Sequence, residues 1–196
     1  MNTPNKLTIG RIIATPFFMA ALMIDFPFHY TAALILFIAA SLTDMIDGKM
    51  ARKYNMITDF GKFLDPLADK MLTTAAFLGF IKMGIGWQVT WIAFIVLFRE
   101  FLISSLRLVV VSSGGKVIAA NMWGKCKTVS QMAGIIFALF CYVLIGDFNI
   151  GNIGNTAFVT GCNIIISILF WVSAVLCIIS GVIYLLDSRE FVDPTK

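Results

Sequence analysis

Residues 157 to 186 form one apolar run longer than the roughly 20 residues that carry a helix across a bilayer. Three more runs approach or exceed that length, and two others reach it with isolated polar interruptions. Approximate bounds of 9 to 25, 30 to 50, 63 to 84, 88 to 111, 126 to 146 and 157 to 186 predict an all-α polytopic membrane protein with six transmembrane helices. Composition leaves little alternative. With 59% hydrophobic residues, 18 Phe and 10 Met, and a mean hydropathy of +0.91, the 196-residue chain carries more apolar material than one soluble core can hide. The surplus must face lipid, and no linker or repeat divides residues 1–196 into more than one membrane domain.

The first stretch follows Lys6 and Arg11, as a secretory leader would. Pro16 interrupts it, no small-residue cleavage site precedes His29, and further spans follow, so it is read as a retained helix. Cys126, Cys141, Cys162 and Cys177 form no C-x-x-C pair and read as small apolar residues.

Cations orient the bundle. Lys6 and Arg11 precede the first span; Lys49, Arg52, Lys53 and Lys62 lie between the second and third; Arg107, Lys116, Lys125 and Lys127 separate the fourth and fifth; Arg189 and Lys196 follow the sixth. The alternate connections hold only Lys82, so both termini are expected in the cytoplasm. The net charge of +4 then reflects topology, with no nucleic-acid footprint. Glycine-rich runs at residues 112–115 and 146–155 read as loops between spans.

One segment breaks the apolar pattern: DMIDGKMARKYNMITDFGKFLDPLAD, Asp44 to Asp69. Asp44 and Asp47 are three apart at the end of the second span, which sets both carboxylates on one helical face. Asp65 and Asp69 stand one turn apart at the start of the third, in line with Gly61 if the helix is continuous; Pro66 also permits a helix that begins at Asp65. A hairpin between the spans brings the two pairs together. Four converging carboxylates need cations. Arg52 and its neighbouring lysines offer one source, and divalent metal offers another: hard oxygen ligands suit Mg²⁺ or Mn²⁺, and a pair of such ions suits chemistry on phosphates. Asp59 does not share the spacing and reads as a solvated loop or helix-cap residue. Gly48, Ala51 and Gly61 leave room for a ligand beside the backbone or for close helix packing, and Arg52 either clamps a phosphate or snorkels.

The segment reads D-x2-D-G-x2-A-R-x8-G-x3-D-x3-D, as Asp44, Asp47, Gly48, Ala51, Arg52, Gly61, Asp65 and Asp69, and it resembles the signature of the CDP-alcohol phosphatidyltransferase family at all eight defining positions. The resemblance implies six transmembrane helices, a homodimer and a metal-dependent enzyme. Such an enzyme moves a phosphatidyl group from CDP-diacylglycerol to an alcohol and releases CMP. By the same resemblance Asp44, Asp47 and Asp65 bind metal, with Asp69 a further ligand or the general base. Asp47, Gly48, Ala51, Arg52 and Gly61 hold the cytidine and its phosphates.

The signature does not select the acceptor. Arg99 and Glu100 lie well inside the fourth span, and Glu100, Ser104 and Arg107 fall on one face. They read either as an ion pair between helices or, with Lys125, Lys127 and Thr128 at the start of the fifth span, as a cationic pocket for an acceptor phosphate, facing the aspartates. The runs N-x-x-T-x-x-R-x4-P at Asn5 to Pro16, REFLISSLR at Arg99 to Arg107 and GKCKT at Gly124 to Thr128 resemble the branch of the family that uses glycerol 3-phosphate. That implies a bacterial plasma membrane enzyme working on the cytoplasmic side. Asn5, Thr8 and Arg11 read as lining for the nucleotide or as capping and snorkelling residues. Beyond Gln131 only apolar helix is legible. Two other readings compete: the same family with inositol phosphate or another alcohol as acceptor, and a divalent-cation transporter. The transporter lacks a matching acidic set near the opposite surface.

Overall fold

A computed structural model describes residues 3–53, 59–112, 122–150 and 156–188; the side chains of residues 3, 4, 49, 51–53, 59–63, 65, 108, 111 and 112 lie outside that description. Its regular elements are α1 (Thr3–Met23), α2 (His29–Lys53), α3 (Asp59–Met83), α4 (Val89–Ser112), α5 (Met122–Tyr142) and α6 (Thr156–Asp187). A π-helical turn, Val143–Asp147, continues α5. The six expected spans are thus six helices. Five of the helices begin one to six residues earlier than the apolar runs, because polar first turns are helical without being apolar, and α4 begins one residue later. The run expected as a loop from residue 146 starts inside the π-turn; residues 113–121 and 151–155, including most of the first expected loop and half of the second, lie outside the described residues.

Among the described residues, five helices are long and apolar enough to cross a membrane. The exception is α3, which carries Lys62, Asp65, Asp69 and Lys70 in its first half. It is nevertheless one continuous helix that starts at Asp59, with Pro66 inside it. Of the two readings left open by Pro66, the continuous helix is the one observed, so Gly61, Asp65 and Asp69 occupy successive turns of one backbone face. Pro66 gives up one backbone hydrogen bond there.

Large apolar side chains point outward. On α4, Trp91, Phe94, Phe98 and Phe101 are all about three-fifths exposed, an arrangement that water would not tolerate and lipid does.

The chain forms two compact units. In the first, residues 1–85 and 135–163, α1 packs along both α2 and α3, while α2 and α3 share a small contact among the described residues. The inward stripe of α2 runs Ala33, Phe37, Ala40, Asp44, Asp47, alternating steps of three and four. That of α1 runs Asn5, Thr8, Arg11, Thr15, Phe18, Leu22. Phe18 and Phe37 meet with ring centroids 5.5 Å apart, so the apolar halves of the two stripes pair, and the polar halves pair beside them. Meanwhile Ile13 and Phe17 face outward. α1 therefore turns polar residues inward from Asn5 to Thr15 and apolar Ile13 and Phe17 outward, with Lys6 exposed in its first turn.

The π-turn secures the other end of α2. Asp147 accepts hydrogen bonds from the Thr31 N–H (2.7 Å), the Thr31 hydroxyl (2.6 Å) and the Tyr30 N–H (3.4 Å), placing a carboxylate on the positive end of the helix. Gly146 lies under the Tyr30 ring, where a Cβ would come within 2.2 Å of Cε2. In the second unit, residues 86–134 and 164–196, α4, the first part of α5 and most of α6 pack together. Phe170 of α6 fills the space that Gly134 of α5 leaves open.

Candidate active site

The polar halves of α1 and α2 meet at Arg11. Its two terminal nitrogens divide between two carboxylates, Nη1 donating to Asp44 Oδ1 and Nη2 to Asp47 Oδ2 at 2.5 Å. Thr8 Oγ1 donates to the same Asp47 oxygen at 3.4 Å, and Thr15 Oγ1 donates to the Arg11 carbonyl at 2.9 Å. The fork works because Asp44 and Asp47 lie about one turn apart, the spacing that a planar guanidinium can span.

Burial differs across the cluster. The Arg11 side chain is 1% exposed and that of Asp47 5%, whereas Asp44 is 43% exposed. Arg11 therefore does not snorkel: its charge is neutralised inside the protein by Asp47, and Asp44 forms the solvent-facing lip. Asn5 is buried on the same stripe. The sequence offered Asn5, Thr8 and Arg11 two roles, and burial against the aspartates removes the snorkelling one.

Asp69 is partly buried on α3, where the Thr73 hydroxyl bonds its carbonyl. Gly48 is described on α2, one residue beyond Asp47. The side chains of Ala51, Arg52, Gly61 and Asp65 lie outside the described residues, as do those of Lys49, Lys53, Asp59 and Lys62. Among the described residues no three His, Cys, Asp or Glu side chains gather at one point. Asp44 and Asp47 are nevertheless a fitting start for a hard divalent ion: two carboxylates, one turn apart, the outer one open to solvent.

The residues expected to take an acceptor phosphate all lie in the second unit, in three different settings. Arg99 and Lys127 converge on Glu100, with Arg99 Nη1 3.3 Å from Oε1 and Lys127 Nζ on the same oxygen. Arg99 Nη2 also donates to Ser180 Oγ on α6 at 3.0 Å. Arg107 is exposed and stacks over the Tyr184 ring, 5.6 Å from its centroid. Lys125 and Thr128 are exposed on α5, and the Thr128 hydroxyl bonds the Gly124 carbonyl. Arg99 thus pairs with Glu100 on its own helix and Lys127 joins them from α5, while Arg107 and Lys125 are exposed.

Residues 1–186 match the CDP-alcohol phosphatidyltransferase family. The chain belongs to that family. Relatives that carry the name CDP-diacylglycerol--glycerol-3-phosphate 3-phosphatidyltransferase occur in several bacteria. That of Bacillus subtilis is 42% identical over 146 residues, 68% of this chain and 74% of the relative. That of Rickettsia bellii is 36% identical over 194 residues, 97% of each chain. The Yersinia pestis protein is 36% identical over 141 residues, 71% of this chain and 78% of its own.

Within this family member, α6 holds what the sequence reading missed. Ser173, Cys177, Ser180, Tyr184 and Ser188 are spaced by three or four and are all 5% exposed or less. A stripe of hydroxyls hidden in so apolar a helix is visible in the sequence only by its spacing, since Ser and Cys barely lower the hydropathy of a span.

Proposed function

We propose that this phosphatidyltransferase moves a phosphatidyl group from CDP-diacylglycerol to glycerol 3-phosphate, giving phosphatidylglycerol phosphate and CMP. The observation that carries the reading is the pair Asp44 and Asp47, one turn apart and gathered by buried Arg11, within the family's eight-residue signature. The names of the relatives supply the acceptor. A carboxylate cluster at the end of a span suits a lipid whose reacting phosphate lies at headgroup depth. Charge asymmetry between the connections supports a cytoplasmic position for that end in a bacterial plasma membrane, and the family resemblance supports a homodimer.

Asp44, Asp47, Asp65 and Asp69 hold Mg²⁺ or Mn²⁺, two ions in all, which when bound supply positive charge for the phosphates. The chain's own residues do the rest. Asp47, Gly48, Ala51, Arg52 and Gly61 bind the nucleotide and its phosphates, with the small side chains leaving the backbone accessible. Arg11 fixes the rotamers of Asp44 and Asp47, so both carboxylates are set before substrate arrives. Arg107 and Lys125 attract the acceptor phosphate, with Arg99, Lys127 and Thr128 beside them. Asp69 accepts the proton from the acceptor's 1-hydroxyl as its oxygen attacks the β-phosphorus and CMP departs.

Asp69→Asn should then lower turnover about 10²-fold, the usual size of lost acid–base assistance, with CDP-diacylglycerol binding retained. Unchanged turnover would remove that role from Asp69.

The acceptor is tested with purified enzyme, CDP-diacylglycerol and a panel of alcohols. Glycerol 3-phosphate should react, and glycerol and serine should fail, because cations set for a phosphate lose a partner when it is missing. Equal rates with serine would return Arg107 and Lys125 to membrane anchoring; preference for inositol phosphate would keep the pocket and change the product.

A further inference from the structure

Two buried hydroxyls, one in the last turn of α6 and one just beyond it, have no hydrogen-bond partner among the described residues: Tyr184 Oη and Ser188 Oγ. They stand one turn apart on the same helix face, and neither bonds the other. A tyrosine at the end of a membrane span ordinarily turns its hydroxyl to water or headgroups. Tyr184 does not. The residue is 5% exposed, packed with Ile103, Leu106 and Leu102, and its ring carries the Arg107 guanidinium on one face. Arg107 itself remains exposed. An accessible guanidinium therefore stands over the ring whose sequestered hydroxyl can both donate and accept.

Buried polar atoms in folded proteins find partners, and those that lack one point to a ligand or an ordered water. The available ligand chemistry is narrow here. Arg107 calls for an anion, and Tyr184 and Ser188 call for a neutral hydrogen-bonding group within a few ångströms of that anion. A hydrocarbon tail satisfies neither, and a bare phosphate satisfies only the cation.

We infer that Tyr184 recognises the free 2-hydroxyl of the acceptor while Arg107 holds its phosphate, making Tyr184 a specificity-determining residue for a short phosphorylated polyol. This rests on the glycerol 3-phosphate reading above. That acceptor carries a phosphate, a reacting 1-hydroxyl and one hydroxyl left over. The leftover hydroxyl takes no part in bond making, so its recognition serves selection alone. Ser188, one turn on, offers a second unpaired hydroxyl to the same acceptor. The aromatic ring has a second task, since it positions Arg107 by stacking.

The test pairs one protein hydroxyl with one substrate hydroxyl. The unsubstituted enzyme, in detergent with CDP-diacylglycerol and Mg²⁺, is assayed for CMP release with glycerol 3-phosphate and with 3-hydroxypropyl phosphate, which lacks only the 2-hydroxyl. Tyr184→Phe keeps the ring and the stacking. It should lower kcat/KM for glycerol 3-phosphate about 10-fold or more, leave that for 3-hydroxypropyl phosphate unchanged, and so erase most of the discrimination between them. Ser188→Ala should give a smaller loss of the same kind. KM for CDP-diacylglycerol should stay constant throughout. Equal losses on both acceptors, or no loss on either, would overturn the hydroxyl assignment and leave Tyr184 a packing residue. No turnover of either acceptor by the unsubstituted enzyme would overturn the acceptor reading itself, a failure distinct from the first.

Discussion

Asp65→Asn is expected to abolish CMP release, lowering it at least about 10³-fold, and excess chelator is expected to do the same to the unsubstituted enzyme. The substitution is nearly isosteric, so it changes charge and ligand strength more than shape. Asp65 stands on α3 one turn before Asp69, on the same continuous helix. If these aspartates hold divalent ions, loss of one anionic ligand weakens the ions and exposes the pyrophosphate charge to the incoming acceptor. Mn²⁺ binding to the purified protein, read by paramagnetic resonance without any substrate, should weaken in parallel. Mg²⁺ or Mn²⁺ should restore chelated enzyme, while Ca²⁺ should serve poorly because it is larger and accepts looser geometry. Full activity in excess chelator, or unaltered Mn²⁺ binding by Asp65→Asn, would end the metal reading and leave Arg11 as the cation the aspartates require.

Much of this architecture is legible in the sequence because lipid imposes a length and forbids unpaired backbone, so apolar runs and helices coincide. The aspartate spacing is legible for a similar reason: a step of three fixes a face whatever the surroundings. What escapes is the inward polarity of helices that are apolar outside. Asn5, Thr8 and Arg11 interrupt an otherwise apolar run, and composition cannot say whether such a residue faces headgroups or a neighbour. Burial of Arg11 at 1% decides it. Asp147 escapes because its glycine-rich surroundings signal a loop, whereas the chain stays helical through a π-turn that aims the carboxylate at the start of α2. The α6 hydroxyls escape because serine is small enough to pass in any membrane helix. Among the described residues α1 is the common neighbour of α2 and α3, and the turn expected to bring the two aspartate pairs together lies outside them. α1 takes that place because it supplies the only described cation buried against the acidic end of α2.

Arg11→Met should therefore destabilise the fold and inactivate the enzyme together. Removing the guanidinium strands Asp47, whose side chain is 5% exposed, without the charge that makes its burial tolerable. Breaking one side of a buried pair costs about 3–5 kcal/mol, a large part of the stability of most proteins. Asp44 adds little to that sum, because at 43% exposure water replaces the lost partner. Arg11→Lys keeps the charge but offers a single ammonium in place of a fork, so it should recover stability in part and leave Asp44 and Asp47 no longer fixed to one another. The decisive comparison adds Asp47→Leu to Arg11→Met. If the pair is held as an ion pair within a packed interior, deleting both charges should restore most of the stability lost by the single change, with activity still absent. Denaturant unfolding in detergent reads the first quantity and CMP release the second. A near-neutral Arg11→Met would mean that Arg11 sits at the headgroups after all, and a double variant no more stable than the single one would mean that the side chain acts by packing rather than by charge.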